Sequence, residues 1–314
     1  MVEAVPWREA WQSALYGPRG FYRQAGGPAA HFTTAAQGGT GRVLATALWQ
    51  EADRLGLDGI VDVGAGRGEL LTSLYACAPE RPLLGLDVVE RPPHLPSEVG
   101  WVESAGGAGR PSSAFPPGSL VVAHEWLDVV PCTIGEVGPD GELREVFVTP
   151  PAGVEALGRP LSEPDLQWCQ RYWPSVLEAS ASAGDRVEVG RQRDEAWAAL
   201  LERLDESAAL AIDYGHVLGD RPRTGTLAAY RSGRLVDPVP DGSCDITAHV
   251  AVDSLTQSRR LRQRAVLGEV APPDMAMARR DPAAYLRDVA HRSEVATLRR
   301  PGGLGDFWWV FAEP

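Results

Sequence analysis

The sequence predicts an α/β fold built on a mostly parallel sheet, and three observations lead there. The run Ile60-Val61-Asp62-Val63-Gly64-Ala65-Gly66-Arg67-Gly68-Glu69-Leu70-Leu71 reads as a short strand, a glycine turn and a helix start. Its apolar residues suit a strand covered on both faces, as in a parallel sheet. Further apolar runs at Leu83–Asp87, 119–123 and Ala208–Asp213 alternate with helical or loop segments, the spacing of βαβ units. A chain of 314 residues with 44% hydrophobic content is long enough for one large α/β domain with an insertion.

Taken in order, residues 1–40 are dense in aromatics and glycine, with a short helix over 9–16 and loop from 17 to 41. This arm either packs over the core or closes as a lid over a ligand. Val43, Leu44, Ala47, Leu48, Ala52 and Leu55 recur at helical spacing, and Gly56 is a natural stop. The glycine-turn unit comes next, with its helix running to about residue 78. After it stand the strand Leu83–Asp87, ending on an acid, and the strand 119–123, which runs into His124-Glu125-Trp126-Leu127-Asp128.

After Pro131 the pattern changes. Residues 133–148 read as a hairpin around Gly138-Pro139-Asp140-Gly141, residues 165–181 and 192–204 as helices, and Val187-Glu188-Val189 as a strand between them. Beyond the strand Ala208–Asp213, residues 219–245 read as a loop and His249 opens a helix to about residue 261. A strand over 264–270, a helix over 283–295 and a last strand over 307–312 complete the chain. The predicted division is an arm or lid (1–40), a cofactor-binding half (41–130), a substrate-side α+β insertion (131–205) and a C-terminal half of the core (206–314).

Acidic residues outnumber basic ones 42 to 30, a formal charge of −12, which argues against a nucleic-acid partner and mildly favours a cationic one. Cys77, Cys132, Cys169 and Cys244 are scattered without a Cys-x-x-Cys pair, a poor disulfide framework and a poor zinc site that fits a reducing cytoplasm. No metal centre, signal peptide or membrane span is expected.

The glycine turn discriminates between cofactors. A dinucleotide fingerprint spaces its glycines Gly-x-Gly-x-x-Gly, and a Walker A loop ends in Gly-Lys-Ser/Thr. Here Gly64, Gly66 and Gly68 alternate and Glu69 is next, so a pyrophosphate would meet a carboxylate at the helix start. S-adenosylmethionine has no phosphate, and its sulfonium and ammonium groups welcome nearby acids. Asp62, Gly64, Ala65, Gly66 and Gly68 are therefore the candidate cradle. Asp87, at the next strand end, is the candidate partner of the ribose hydroxyls.

His124, Glu125 and Asp128 are the candidate catalytic residues, because they lie just past a strand's carboxyl end, where open α/β sheets place their chemistry. Glu125 and Asp128 project to one side if that segment turns helically. Several motifs then coincide with one family: Ala14-Leu15-Tyr16-Gly17-Pro18 through Gly20-Phe21-Tyr22, His31-Phe32-Thr33-Thr34, residues 61–68, residues 123–131, Asp213-Tyr214-Gly215, Gly225-Thr226-Leu227-x-x-Tyr230-Arg231 and Asp245-Ile246-Thr247-Ala248-His249-Val250. In order and over nearly the whole chain, they resemble the MidA family of S-adenosylmethionine-dependent class I methyltransferases. Mitochondrial members of that family are regarded as protein arginine methyltransferases supporting assembly of respiratory complex I.

The resemblance implies a seven-stranded, mostly parallel Rossmann-like sheet, S-adenosylmethionine as cofactor, and arginine in a protein as methyl acceptor. The sequence departs from the family pattern at His31 (Asp in the family), Ala35-Ala36-Gln37 (Ser-Pro-Glu), His124 (Asn) and Ala271-Pro272-Pro273 (a Thr-Gln pair). The cofactor motifs are kept and the substrate-facing ones altered. An O- or small-molecule N-methyltransferase, with His124 or His249 as base, is the alternative within the class. A non-catalytic S-adenosylmethionine-binding assembly factor is the alternative of another class.

Overall fold

A short strand β1 (Val5–Pro6) leads into helix α1 (Trp7–Tyr16), whose buried Trp7, Ala10, Trp11, Ala14 and Leu15 form one helical stripe. This computed structural model describes residues 3–24, 35–107, 109 and 115–313. Helix α2 (Gly38–Leu55) ends at Gly56, whose φ of 68° and N–H bonds to the Ala52 and Asp53 carbonyls make the expected stop. Strand β2 (Gly59–Val63), buried throughout, passes through the glycine turn into α3 (Glu69–Cys77). Strands β3 (Leu83–Asp87), β4 (Gly100–Glu103) and β5 (Ser119–His124) come after it.

Between β5 and the next strand of the main sheet stand the hairpin β6 (Thr133–Val137) and β7 (Leu143–Thr149), then β8 (Val154–Pro160), α4 (Glu163–Tyr172), β9 (Arg186–Val189) and α5 (Arg191–Leu201). The chain re-enters the main sheet at β10 (Ala208–Asp213). Short strands β11 (Gly215–His216), β12 (Ala228–Arg231), β13 (Arg234–Val236), β14 (Asp245–Thr247) and β15 (Val250–Ala251) come next. The end of the chain holds β16 (Arg259–Arg262), α6 (Gln263–Val266), α7 (Met275–Arg280), α8 (Pro282–Arg299) and β17 (Trp308–Ala312).

The main sheet runs β16-β17-β10-β5-β2-β3-β4. The pairs β10/β5, β5/β2, β2/β3 and β3/β4 are parallel, while β17 is antiparallel to both β10 and β16. The sheet is therefore mixed, with six strands pointing one way and β17 the other. Its parallel strands end at Val63, Asp87, His124 and Asp213 along one edge. The direction of winding reverses between β2 and β5, the crevice where open α/β sheets bind ligands.

Period-2 alternation sends Ile60, Leu120, Val122, Leu210 and Ile212 to one face, against Leu44 and Leu48 of α2 and Leu71 and Leu74 of α3. Val61, Val121, Ala123, Ala209 and Ala211 go to the other, against Trp197 and Leu200 of α5. A second, antiparallel sheet has the order β1-β7-β6-β9, with β8 on the free side of β7. Helix α1 packs on it, Trp7 and Trp11 meeting Ile134, Val146, Val148 and Ile246. No helix among the described residues is long and apolar enough to cross a membrane.

Four local expectations fail. The helix expected from His249 to about residue 261 is instead β15, a turn and β16, and the strand expected over 264–270 begins as α6. Strand β16 shows no apolar alternation because arginine stems supply its packing. The guanidinium groups of Arg259 and Arg262 each lie 3.6 Å over a ring of β17, Phe311 and Trp308 respectively. Helix α4 stops at Tyr172 rather than near 181, because Pro174 forces the residue before it out of helical geometry (Trp173 φ −144°, ψ 54°). The stretch 219–245 is not all loop: it holds β12 and β13, whose exposed Tyr230 and Leu235 leave little pattern to read.

Candidate active site

The glycine turn is locked by its own backbone. Gly64, Gly66 and Gly68 have φ of 75°, 58° and 79°, the left-handed region that suits glycine. Gly64 and Ala65 donate N–H bonds to the Leu86 carbonyl at 2.9 and 3.0 Å, and Gly66 donates to Asp87 Oδ2 at 2.8 Å. The Arg67 N–H is taken by Glu69 Oε2 at 2.9 Å, so a carboxylate already occupies the place a phosphate would need. A Cβ on Gly64 would meet the Trp126 ring at 3.0 Å, whereas one on Gly66 would meet only the Glu69 carboxylate at 3.2 Å.

A cavity of about 740 Å³ opens over this turn and continues to the ends of β5 and β10. Asp62, Gly64, Ala65, Gly66, Asp87, His124, Glu125 and Asp128, all anticipated from the sequence, line it. Gly68 does not. Its Cα side faces Leu95 (2.6 Å from a built Cβ), so it serves the turn and the start of α3 rather than a ligand. Burial, then the charges of Asp87 and Glu69, pushes Asp62 up to about 8; burial alone raises Asp87 to about 6 against the backbone N–H bonds it accepts. Tyr22, Ala36 and Gln37 reach the cavity wall, but residues 25–34, including His31, lie outside the described residues.

At the far end, Glu125 sits at φ 50°, and its N–H donates to the Ile212 carbonyl at 2.9 Å. From Glu125 the chain bends instead of coiling as the expected helix, a turn closes only at 127–130 (Val130 N–H to the Leu127 carbonyl, 3.2 Å), and Asp213 holds the segment. Oδ2 of Asp213 accepts from the N–H groups of Leu127 (3.0 Å) and Asp128 (3.1 Å). The Tyr214 hydroxyl donates to Asp128 Oδ2. Asp128 Oδ1, Glu125 Oε1 and His124 Nε2 are buried without hydrogen-bond partners among the described residues. Burial, with Asp128 and Asp245 adding repulsion, lifts Glu125 to about 8. Burial lifts Asp128 to about 6 despite the Tyr214 bond and the charge of Arg193. Burial also drops His124 to about 4, so it is a neutral imidazole near neutral pH.

His249, the other candidate base, is on the cavity wall too. It packs edge-on to Tyr214, centroids 5.1 Å apart, and burial lowers its pKa. Three residues at this end were given no role from the sequence. Asp245 lies across the cavity and accepts from the Tyr22 hydroxyl at 2.6 Å. Arg193 of α5, fully buried, donates to the carbonyls of Asp128 (2.7 Å), Val130 (3.1 Å) and His249 (2.8 Å). Asp213 ends a buried strand as Asp87 does, a signal that could have marked it. Arg193 carries none, being one of several polar residues on an ordinary helix.

An open sheet with a glycine turn at its winding reversal and acids at three strand ends defines an α/β fold resembling that of S-adenosylmethionine-dependent methyltransferases. A COG1565 superfamily member from Burkholderia thailandensis bound to S-adenosyl-homocysteine aligns over 99% of this chain and 88% of its own, with TM-score 0.75 and 21% identity. A native COG1565 superfamily protein from the same organism aligns over 99% and 87%, with TM-score 0.70 and 20% identity. No curated protein matches the sequence. The family model described as "Putative S-adenosyl-L-methionine-dependent methyltransferase" matches residues 80–270, and the chain belongs to that family. The resemblance to the MidA family agrees with this membership. The protein is a methyltransferase, and its cofactor is S-adenosylmethionine.

Proposed function

We propose that the methyl acceptor is a guanidinium, presented as an arginine side chain of a protein. The observation that carries this reading is the pair of cavity-lining carboxyl groups of Glu125 and Asp128, each with a buried oxygen that makes no hydrogen bond among the described residues, Glu125 Oε1 having only His124 Nε2 beside it at 3.5 Å. Two carboxyl groups left short of a partner in a dry site call for a cationic ligand with several donors. On this reading residues 41–130 and 206–314 are the two halves of the cofactor-binding core, and 131–205 is the substrate-side insertion.

The cradle fits the cofactor chemically: bare backbone at Gly64 to Gly66, acids suited to a sulfonium and an ammonium, and no place for a phosphate. Asp62 and Gly64 to Gly66 would hold the methionine part, and Asp87 the ribose. S-adenosylmethionine supplies an electrophilic methyl group on sulfur. The chain's share is alignment and exclusion of water, which supply most of the rate in such a displacement. A guanidinium stays protonated in water, with a pKa above about 12. Glu125 and Asp128 would localise its charge on one side and leave the other nitrogen to bond the methyl carbon as the methyl–sulfur bond breaks, the proton that nitrogen gives up passing to one of the two carboxylates.

A second reading rests on His249, a neutral imidazole on the cavity wall, which could take the proton of a hydroxyl or a less basic amine. Tritium transfer from labelled cofactor to cell extract separates the two. Label recovered as methylarginine after acid hydrolysis of protein supports the first reading. Label confined to small molecules removes it.

A further inference from the structure

Glu125 and Asp128 are not the only acids at the acceptor end of the cavity. Asp245 opens β14, outside the main sheet, and lines the same cavity with 4% of its surface exposed. Its Oδ1 accepts the Tyr22 hydroxyl. Burial and the charge of Asp128 raise its carboxyl to about 8, and Asp245 in turn helps raise Glu125. Among the buried acids Asp165 pairs with Arg191 at 2.8 Å and Glu145 with Arg159 at 2.9 Å, whereas Asp62, Glu188 and Asp213 have no ion pair among the described residues. Glu125, Asp128 and Asp245 form no ion pair with an arginine among the described residues, and Asp128, 3% exposed, has its Oδ1 buried without a hydrogen-bond partner there. Burial keeps Glu125 and Asp245 protonated near neutral pH in the empty cavity, and a cationic ligand would draw off those protons as it pairs with the three carboxyl groups.

We infer that Asp245 is a third acceptor-binding carboxylate, which makes the pocket specific for a guanidinium over an ammonium. This rests on the guanidinium reading above and extends it. A guanidinium is planar, with five donors pointing along several edges, so it can meet the Glu125–Asp128 side and Asp245 at once. An ammonium is a compact point charge with three donors on one atom and cannot span two walls. Tyr22 holds Asp245 in place from the N-terminal segment, so the discriminating group is assembled from both ends of the chain.

The test uses the full chain saturated with S-adenosylhomocysteine, titrated calorimetrically with N-acetyl-arginine methylamide and with N-acetyl-lysine methylamide. The wild type is expected to bind the arginine probe tighter than the lysine probe by about tenfold or more. Asp245→Asn is expected to weaken the arginine probe by about 30-fold or more, with affinity for S-adenosylhomocysteine unchanged. Unchanged arginine-probe affinity in Asp245→Asn overturns the role of Asp245 and leaves the guanidinium reading standing. Equal binding of the two probes by the wild type overturns the specificity without any variant. No arginine-probe binding by the wild type overturns both readings.

Discussion

The two oxygens of Asp128 do different things: Oδ2 is taken by the Tyr214 hydroxyl, and Oδ1 is buried without a hydrogen-bond partner among the described residues. The Tyr214 bond opposes the burial that raises this carboxyl to about 6. Removing that bond moves the carboxyl further up, so Asp128 is ionised over a narrower range at neutral pH. Tyr214→Phe should therefore lower the methyl-transfer rate by about tenfold and shift the acidic limb of its pH profile to higher pH. Affinity for S-adenosylhomocysteine should change little, because the Tyr214 hydroxyl is spent on Asp128 and not on the glycine turn or Asp87. A pH–rate profile beside a calorimetric titration checks both halves.

Helix α5 belongs by sequence to the insertion, yet Trp197 and Leu200 seal one face of the main sheet and Arg193 ties together Asp128, Val130 and His249. Arg193→Met removes three hydrogen bonds from a charged donor, leaving the Val130 and His249 carbonyls without it while the Asp128 carbonyl keeps the Ala248 N–H (3.1 Å), a cost of about 3 kcal/mol. A fall in Tm of roughly 6–12 °C is expected for a chain of this size, read by thermal unfolding. Elements of this kind divide what the sequence makes legible from what it hides. Strands β2, β3, β5 and β10 are covered on both faces and announce themselves as apolar runs, and their end residues led to most of the cavity wall. Strand β16 is stabilised by Arg259 and Arg262 lying on aromatic rings, so its pattern reads as polar helix or loop. Arg193 and Asp245 owe their roles to contacts more than fifty residues away, which no local periodicity records.

At the scale of the whole molecule, the cavity's acids set a stability profile. Asp62, Glu125 and Asp245 titrate at about 8, and Asp87 and Asp128 at about 6. In the unfolded chain such groups titrate near roughly 4. The folded state thus holds protons the unfolded state has lost, and the stability this brings is fully present below about pH 4 and lost as pH rises from there to about 8. His124 and His216 work in the opposite sense: burial depresses them to about 4 and about 3, so their contribution is lost as pH falls below roughly 6.5. The five acids outweigh the two histidines, so the ligand-free protein should already lose stability as pH rises from about 4 to 6, and its Tm should go on falling from pH 6 toward pH 9. Thermal unfolding across pH checks this, and a combined Asp62→Asn, Glu125→Gln, Asp245→Asn variant should flatten the alkaline side. A Tm that climbs from pH 6 to 9 would contradict it. The N-terminal helix is bound into the same arrangement, since α1 completes the second sheet's core while Tyr16 and Tyr22 border the cavity.

The left-handed backbone of Glu125 makes that position a place where heat resistance and turnover are opposed. A side chain held at φ 50° costs about 1 kcal/mol or more, and a raised carboxyl in a dry wall adds to the cost. Glycine removes both. Glu125→Gly should melt roughly 2–4 °C above the wild type, against the usual sign of a glycine substitution. Glu125→Ala, which keeps the strained backbone, should melt below Glu125→Gly, and neither should transfer methyl groups. Selection for thermal tolerance alone would then erode this residue first, leaving a sturdier protein that still holds its cofactor and does nothing with it.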